Sequence, residues 1–313
     1  MLFYSTKADV EYMTPEWNGE RMEDGRPKVS DDILERMRKL TLEEVWAYAW
    51  SMNYEFQIET ELKATHDTRK RLVGRALTIQ CLPSRPDLNK VTKKESLDYG
   101  FESDYNKSAV SRLTKNDVMV ADFFDKVLYG TYFGGNLATA VANRTQGGGA
   151  IVWGGIRDVD QIQDIANLQI YYRGSHPTPI RDYLMAGYNR PVRIGEAVCM
   201  PGDVVFGSSG GIAFIPAHLA EQTVVDAEIT HVKDIFGFQR LKEQKYTTSQ
   251  IDKNPWPDNI FDDFKQWFKI SEQAKEYRHL EKDLDIVIEN QKKGINPRRT
   301  RHRQGLPWNE SGA

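Results

Sequence analysis

The chain has 313 residues, with 42 Lys and Arg against 45 Asp and Glu and a formal net charge of -3. That length suffices for one sizeable core with extensions, or for two domains. The near balance of charge gives no general electrostatic case for nucleic acid, and no apolar run approaches the roughly 20 residues needed to cross a bilayer.

Two cysteines occur, Cys81 and Cys199. The count excludes a disulfide framework, and their apolar, strand-like surroundings predict buried free thiols. Residues Met1 to Asp9 lack the basic region and long apolar core of a signal peptide, so a cytoplasmic protein is the expectation.

Residues 1–30 are polar and aromatic and read as an arm laid on a surface. Ser30 is an N-cap candidate for a helix near 31–39, with Ile33, Leu34, Met37 and Leu40 as its apolar stripe. Thr41-Leu42-Glu43-Glu44 fits a capping box that opens a second helix through Trp46, Ala49 and Trp50. Residues 84–112 read as an insertion: charges of both signs with scattered aromatics predict a solvated loop or short helix, placed to overhang a site or to contact a neighbouring subunit.

The centre of the chain carries the chemistry. Gly134-Gly135-Asn136-Leu137-Ala138-Thr139 predicts a glycine turn entering a short helix. Gln146-Gly147-Gly148-Gly149 is a second turn, Ala150-Ile151-Val152-Trp153 a buried strand, and Gly154-Gly155-Ile156-Arg157-Asp158 a third turn ending in an Arg-Asp pair. Glycine turns bring backbone N–H groups to a ligand with no side chain in the way. An adjacent Arg and Asp at a strand end can hold an anion beside a divalent cation. An anionic substrate bound to a metal suits that combination; the bland alternative is a pair of surface hydrogen bonds.

Val159 to Ile165 is amphipathic with helical period, and Gln169 to Gly174 reads as strand and turn, so strands and helices alternate as in an α/β layered domain. Residues 217–243 form a long helical stretch after Pro216. Trp256, Phe261, Phe264, Trp267 and Phe268 predict an aromatic amphipathic helix. Glu272 to Lys293 reads as one charged helix, with Leu280, Leu284 and Ile288 at a period of four. Pro297 to Gln304 is a basic tail, better explained as a disordered or subunit-embracing segment than as an RNA-binding one, since no aromatic platform is interleaved with it.

Several of these motifs, in order, resemble the RraA-like family, which includes metal-dependent 4-hydroxy-4-methyl-2-oxoglutarate/4-carboxy-4-hydroxy-2-oxoadipate aldolases. Gly135-Asn136-Leu137-Ala138 resembles the family's Gly-Asp-Leu-Leu. Gly155-Ile156-Arg157-Asp158 resembles its Gly-x-x-Arg-Asp, and twenty residues lie between Asn136 and Arg157, as in the family. Val73 to Ile79 looks like the first core strand, Asn116 to Asp122 a second. Met200 to Val205 with Gly211 to Pro216 looks like the closing hairpin.

The resemblance covers about residues 70–243, apart from the insertion. It implies an α/β fold, the swivelling β/β/α domain of the RraA-like family. Helical extensions would flank it: 1–69 as arm and helices, 70–243 as catalytic domain with the 84–112 insertion, and 244–313 as helical extension and tail.

The same resemblance implies roles. Asp158 would be the direct ligand to Mg²⁺ or Mn²⁺, with waters filling most of the octahedron. Arg157 would contact the keto oxygen or carboxylate of a 2-oxo acid or related hydroxy acid. Backbone N–H groups at Gly135, Leu137 and Ala138 would receive the carboxylate at a helix start. His176 is a further substrate-contacting candidate. The aldolases bring a carboxylate from a neighbouring subunit, which falls at Asp234, with Glu243 as the fallback.

Two departures stand out. Asn136 replaces the aldolase Asp thought to act through metal-bound water; Asn can orient a water but cannot act as a general base. Ser208-Ser209-Gly210 stands where the hairpin usually carries acids. The implied activity is a lyase working through a pyruvate-type enolate, by retro-aldol cleavage or decarboxylation, in a homotrimer or homohexamer. The alternative from the same family is a non-catalytic, protein-binding regulator of ribonuclease activity. The Asp at 158 favours the enzyme. No membrane or nucleic-acid partner is expected.

Overall fold

The computed structural model describes residues 1–102 and 106–293, and these fall into two compact units, one drawn from residues 1–42 and 56–220 and the other from residues 43–55 and those from 221 onward. In chain order the elements are α1 (Lys7–Met13), α2 (Asp31–Met37), α3 (Leu42–Ser51), β1 (Ile58–Glu59), β2 (Lys63–Ala64), β3 (Leu72–Pro83), α4 (Pro86–Asp98) and α5 (Asn106–Val110). There follow β4 (Asp117–Lys126), α6 (Gly135–Thr145), β5 (Gly149–Ile156), α7 (Val159–Gln163), β6 (Gln169–Ser175), β7 (Tyr183–Tyr188), β8 (Val192–Ile194), β9 (Ala197–Cys199), β10 (Val204–Ser208) and β11 (Gly211–Ile215). The last helices are α8 (Ala220–Lys242), α9 (Thr248–Ile251), α10 (Asp258–Ile270) and α11 (Glu281–Lys292).

The first unit is built on a mixed sheet with strand order β1-β11-β10-β3-β4-β5-β6-β2, and β7 also pairs with β3. Strands β3, β4, β5 and β6 run parallel; β10 and β7 pair antiparallel with β3. Both faces of the central strands are buried, which is why their sequences are nearly continuous apolar runs. Alternate side chains divide between two cores. Met119 and Ala121 of β4 pack with Ala138 and Val141 of α6 and with Ala109 and Val110 of α5. Val118 and Val120 pack with Val192, Ile194, Ala197 and Cys199 of the β8–β9 hairpin. Cys81 and Cys199 are buried free thiols, one in each core.

The arm is more than a surface layer. Tyr4 is buried and packs edge-on against Phe101, while the Ser5 and Tyr188 N–H groups donate to Tyr188 O and Phe3 O, tying the arm to β7. Arg26 is only 1% exposed; its guanidinium donates to both Asp117 oxygens at 2.9 and 3.1 Å and to Asp24 at 2.7 Å. Ser30 caps α2 through Ile33 N–H, as its sequence requires.

The insertion takes the helical form of the two expected, as α4 and α5. Thr92, Ser96, Asn106, Ser108, Ala109 and Val110 are buried, and the Glu95 carboxylate accepts from the N–H groups of Phe3 and Tyr4. Helix α4 is thus a largely exposed helix, as the mixed composition predicts, and burial is concentrated in α5, where short polar side chains find partners.

The second unit packs α10 against α8 through Phe236, Trp256, Phe264 and Trp267, with the Phe236 and Phe264 rings 5.3 Å apart and edge-on. Burial of each such ring contributes roughly 1.5–3 kcal/mol. The charged stretch expected as one helix is two elements: residues 272–280 form a 3-10 helix, and α11 begins at Glu281. Leu280, Leu284 and Ile288 are nonetheless all buried in this core. The basic stretch 297–304 lies outside the described residues. No helix among the described residues is long and apolar enough to cross a membrane.

Candidate functional site

The parallel pairing of β4 with β5 sets two loops side by side at the carboxyl ends of adjacent strands, the usual place for a ligand crevice in such sheets. Backbone hydrogen bonds knit the loops together. Tyr132 N–H donates to Gly155 O at 2.7 Å, and Arg157 N–H donates to Phe133 O at 2.9 Å. This pairing, a parallel bridge between Phe133 and Ile156, brings Gly134-Gly135 against Arg157-Asp158.

At the junction the Asp158 Oδ2 accepts from Gly135 N–H at 3.1 Å and lies 3.7 Å from Arg157 Nε. Asp158 has φ 57° and ψ 38°, a left-handed conformation that Asp tolerates better than most residues. Gly134 has to be small: a Cβ there would stand 2.6 Å from Asp158 Oδ2 and 2.9 Å from Arg157 Nε. At Gly135 a Cβ would meet Gln161 Oε1 at 2.7 Å. The two glycines thus make a cradle of backbone beneath the charged pair.

Around it lies a cavity of about 430 Å³. Gly134, Asn136 and Leu137 contribute from the start of α6, Arg157 and Asp158 from the end of β5, and Gln161 from α7. Asn106 and Lys107 enter from the insertion. Asp158 is the one carboxylate among these lining residues. No cluster of three or more His, Cys, Asp or Glu side chains with metal-binding geometry occurs among the described residues.

The donors at the helix start differ in detail from the sequence expectation. Ala138 N–H donates to Gly134 O at 3.0 Å and closes the first turn of α6, so it is already committed within the helix. Gly135 N–H is engaged by Asp158. The remaining first-turn donors are those of Asn136 and Leu137, aligned with the positive end of the helix dipole.

His176 is not among the residues lining this cavity; its Nδ1 is 2.9 Å from Thr178 Oγ1 and its ring lies 5.4 Å from that of Tyr129. Asp234 belongs to the second unit. There it lines a separate cavity of about 360 Å³ with Thr230, Lys233 and Trp256. Desolvation, then the Glu44 carboxylate, raise the Asp234 carboxyl above its ordinary value, and the Lys233 ammonium sits 4.5 Å from the Trp256 ring centre. Glu243 is engaged by Gln239 and Arg240. Sequence reasoning missed Asn106, Lys107 and Gln161. Gln161 lies on the turn after the Arg-Asp pair and was reachable by helical spacing; the other two arrive only through tertiary packing.

Comparison with known proteins bears on the family and the fold. Residues 27–214 match the family model for RraA-like proteins, Aldolase/RraA. Protein DlpA of Legionella pneumophila is 26% identical over 162 residues, a match spanning 49% of this chain and 23% of DlpA. The chain thus spans about a quarter of the length of that curated relative. Among solved structures, Streptomyces coelicolor RraAS2, described as an unusual member of the RNase ES inhibitor RraA protein family, superposes with a TM-score of 0.56 at 19% identity, covering 71% of this chain and 98% of RraAS2. An uncharacterized protein from Pseudomonas syringae pv. tomato gives 0.56 at 16% identity, covering 71% and 93%. At such identities the likeness is one of fold.

Proposed function

The chain belongs to the RraA-like family, and from that premise we propose that its first unit carries a divalent-metal-dependent lyase site for a 2-oxo acid. The observation that supports this reading is the adjacency of Arg157 and Asp158 over the Gly134-Gly135 cradle at the start of α6. The donor set fits a hard cation: one carboxylate, Asp158, with Asn136 and Gln161, whose side chains carry amide oxygens, among the residues lining the same cavity. Mg²⁺ in particular dehydrates reluctantly and is commonly held by one or two carboxylates with waters completing the shell. Bound at Asp158, Mg²⁺ or Mn²⁺ would supply Lewis-acid polarisation of the substrate's keto oxygen.

The chain's own groups do the rest. The N–H groups of Asn136 and Leu137 lie at a helix start, which favours an anion, and would take the substrate carboxylate. Arg157 would meet the keto oxygen as negative charge develops on it when the C–C bond breaks, which is where a fixed cation lowers the barrier. Retro-aldol cleavage also requires a base for the hydroxyl proton, and the amide of Asn136 cannot take it. Decarboxylation of a β-keto acid releases CO₂ and leaves its electron pair on the same enolate without that base. The side chains in the cavity therefore suit decarboxylation more readily than aldol cleavage. Asp234 of a neighbouring subunit is the proposed carrier of the final proton, in a trimer or hexamer.

A second reading is a non-catalytic regulator that binds a ribonuclease. The likeness to RraAS2, described as a member of the RNase ES inhibitor RraA protein family, supports it, as does the Asn at 136. One experiment separates the two. Purified protein is assayed for CO₂ and pyruvate release from oxaloacetate with Mg²⁺ or Mn²⁺, with and without EDTA, beside Asp158→Ala. The same preparations are assayed for inhibition of an RNase E-type enzyme. The lyase reading expects EDTA-sensitive turnover that Asp158→Ala abolishes with the fold intact. Metal-independent or absent turnover, with ribonuclease inhibition that Asp158→Ala leaves untouched, would establish the regulator instead.

A further inference from the structure

Helix α5 is buried along its length except at one position. Asn106, Ser108, Ala109 and Val110 are each no more than 4% exposed, while Lys107 is exposed and lines the cavity with Arg157. The helix is anchored from beneath. The Asn106 side-chain amide donates to Tyr132 O, its backbone N–H donates to Tyr183 Oη, and Ala109 and Val110 lie in the core shared with α6. Packing thus fixes where the Lys107 stem leaves the backbone, and that point is the cavity wall.

The charge of the wall is unbalanced. Among the described residues its cations are Lys107 and Arg157, and its one carboxylate, Asp158, is shared between Arg157 and Gly135 N–H. The start of α6 adds further positive potential. A metal at Asp158 would add more. The oxo-acid end of a substrate accounts for Arg157 and the helix start, and leaves Lys107 facing a cavity larger than a three-carbon acid fills. A Lys ammonium is a compact charge on a flexible stem, suited to meeting a carboxylate whose distance varies rather than to a rigid two-point clamp.

We propose that Lys107 is a specificity-determining residue of this site, receiving a second carboxylate of the substrate, remote from the one held beside Arg157. The insertion that carries α5 would thereby select for chain length and terminal charge. This rests on the oxo-acid reading above, so the test must separate the two.

Binding of 2-oxoglutarate and of 2-oxopentanoate, equal in carbon count but differing in the terminal carboxylate, is measured by titration calorimetry at saturating Mg²⁺. Wild type, Lys107→Gln, Lys107→Arg and Arg157→Ala are compared. Wild type should prefer 2-oxoglutarate by about ten-fold or more, the size of one well-placed charge interaction. Lys107→Gln should erase that preference while leaving 2-oxopentanoate unchanged, Lys107→Arg should keep most of it, and Arg157→Ala should weaken both acids. No preference in wild type, or equal weakening of both acids by Lys107→Gln, overturns the role of Lys107 alone. Failure of both acids to bind wild type overturns the oxo-acid reading and this inference with it.

Discussion

Gly135 donates its backbone N–H to the Asp158 carboxylate at 3.1 Å. The first turn of α6 and the acid at the end of β5 are therefore one unit, although they lie on different elements. Any change at the helix start should be felt at Asp158, and the reverse.

Gly134→Ala tests that coupling. Gly134 has φ -130° and ψ -177°, extended backbone that alanine adopts freely, so the penalty is one of space. The new Cβ would displace Asp158 Oδ2 and Arg157 Nε, which are side-chain ends and can move without unfolding the chain. A thermal midpoint near wild type is expected, with kcat/KM lower by roughly a hundred-fold, the cost of a small misplacement of catalytic groups. Unchanged kcat/KM would remove the cradle from the site.

Arg157→Lys keeps the charge and loses the planar fork. Hydrogen bonds to charged groups are each worth about 1.5–3 kcal/mol, so kcat/KM should fall roughly ten- to a hundred-fold. Steady-state kinetics with oxaloacetate reads this directly, and an unaltered value would show that Arg157 does not meet the reacting oxygen.

Asn136→Asp adds the base that Asn lacks. At saturating Mg²⁺ the gain should be larger for pyruvate release from an aldol acid than for decarboxylation of oxaloacetate, because only the former needs a hydroxyl proton removed. Equal gains, or none, would mean that position 136 is remote from the bond that breaks.

A pH effect on stability is expected at Asp203. Desolvation pushes its carboxyl up to about 7, against the opposing N–H groups of Met200 and Ala217. The folded chain then holds this proton after the unfolded chain has released it. Its contribution favours folding below the ordinary carboxylate range and declines as pH rises toward 7. Asp203→Asn keeps an acceptor and removes the charge, so between pH 4 and 7, on the order of the two values, its thermal midpoint should fall less than that of wild type. Parallel curves would contradict the assignment.

Arg26 is held by Asp117 and Asp24 inside the first unit. Arg26→Leu leaves Asp117 buried without its partner and should cost about 3–5 kcal/mol, whereas Arg26→Leu with Asp117→Leu should recover part of that loss. Urea unfolding of the two variants provides the comparison; an equal loss in both would mean that the pair is not the source.

The sequence carried the central strands, the helix cap at Ser30 and the Gly134 to Asp158 stretch because each depends on neighbours a few residues away: alternation, a cap three residues from its donor, a turn. It did not carry Lys107, whose approach to Arg157 depends on Asn106 meeting Tyr132 and Tyr183, 26 and 77 residues away. The burial of Arg26 against Asp117, 91 residues distant, was hidden for the same reason. Arg26 lies in a polar stretch and reads as solvated until the fold pairs it with an acid at the start of a core strand. The break at Glu281 was masked because Leu280, Leu284 and Ile288 keep a helical period across an element boundary.

The left-handed backbone at Asp158 narrows what can follow in descent. Residues branched at Cβ or bulky are costly at φ 57°, while Asn and Gly enter that region readily. On the lyase reading, position 158 is thus filtered twice, once by chemistry and once by conformation. Loss of the acid has two easy exits, to Asn or to Gly, and each is a single-nucleotide step from either Asp codon. Silencing this site would cost the lineage little in fold, so descendants that have given up the reaction should carry one of those two residues more often than any other.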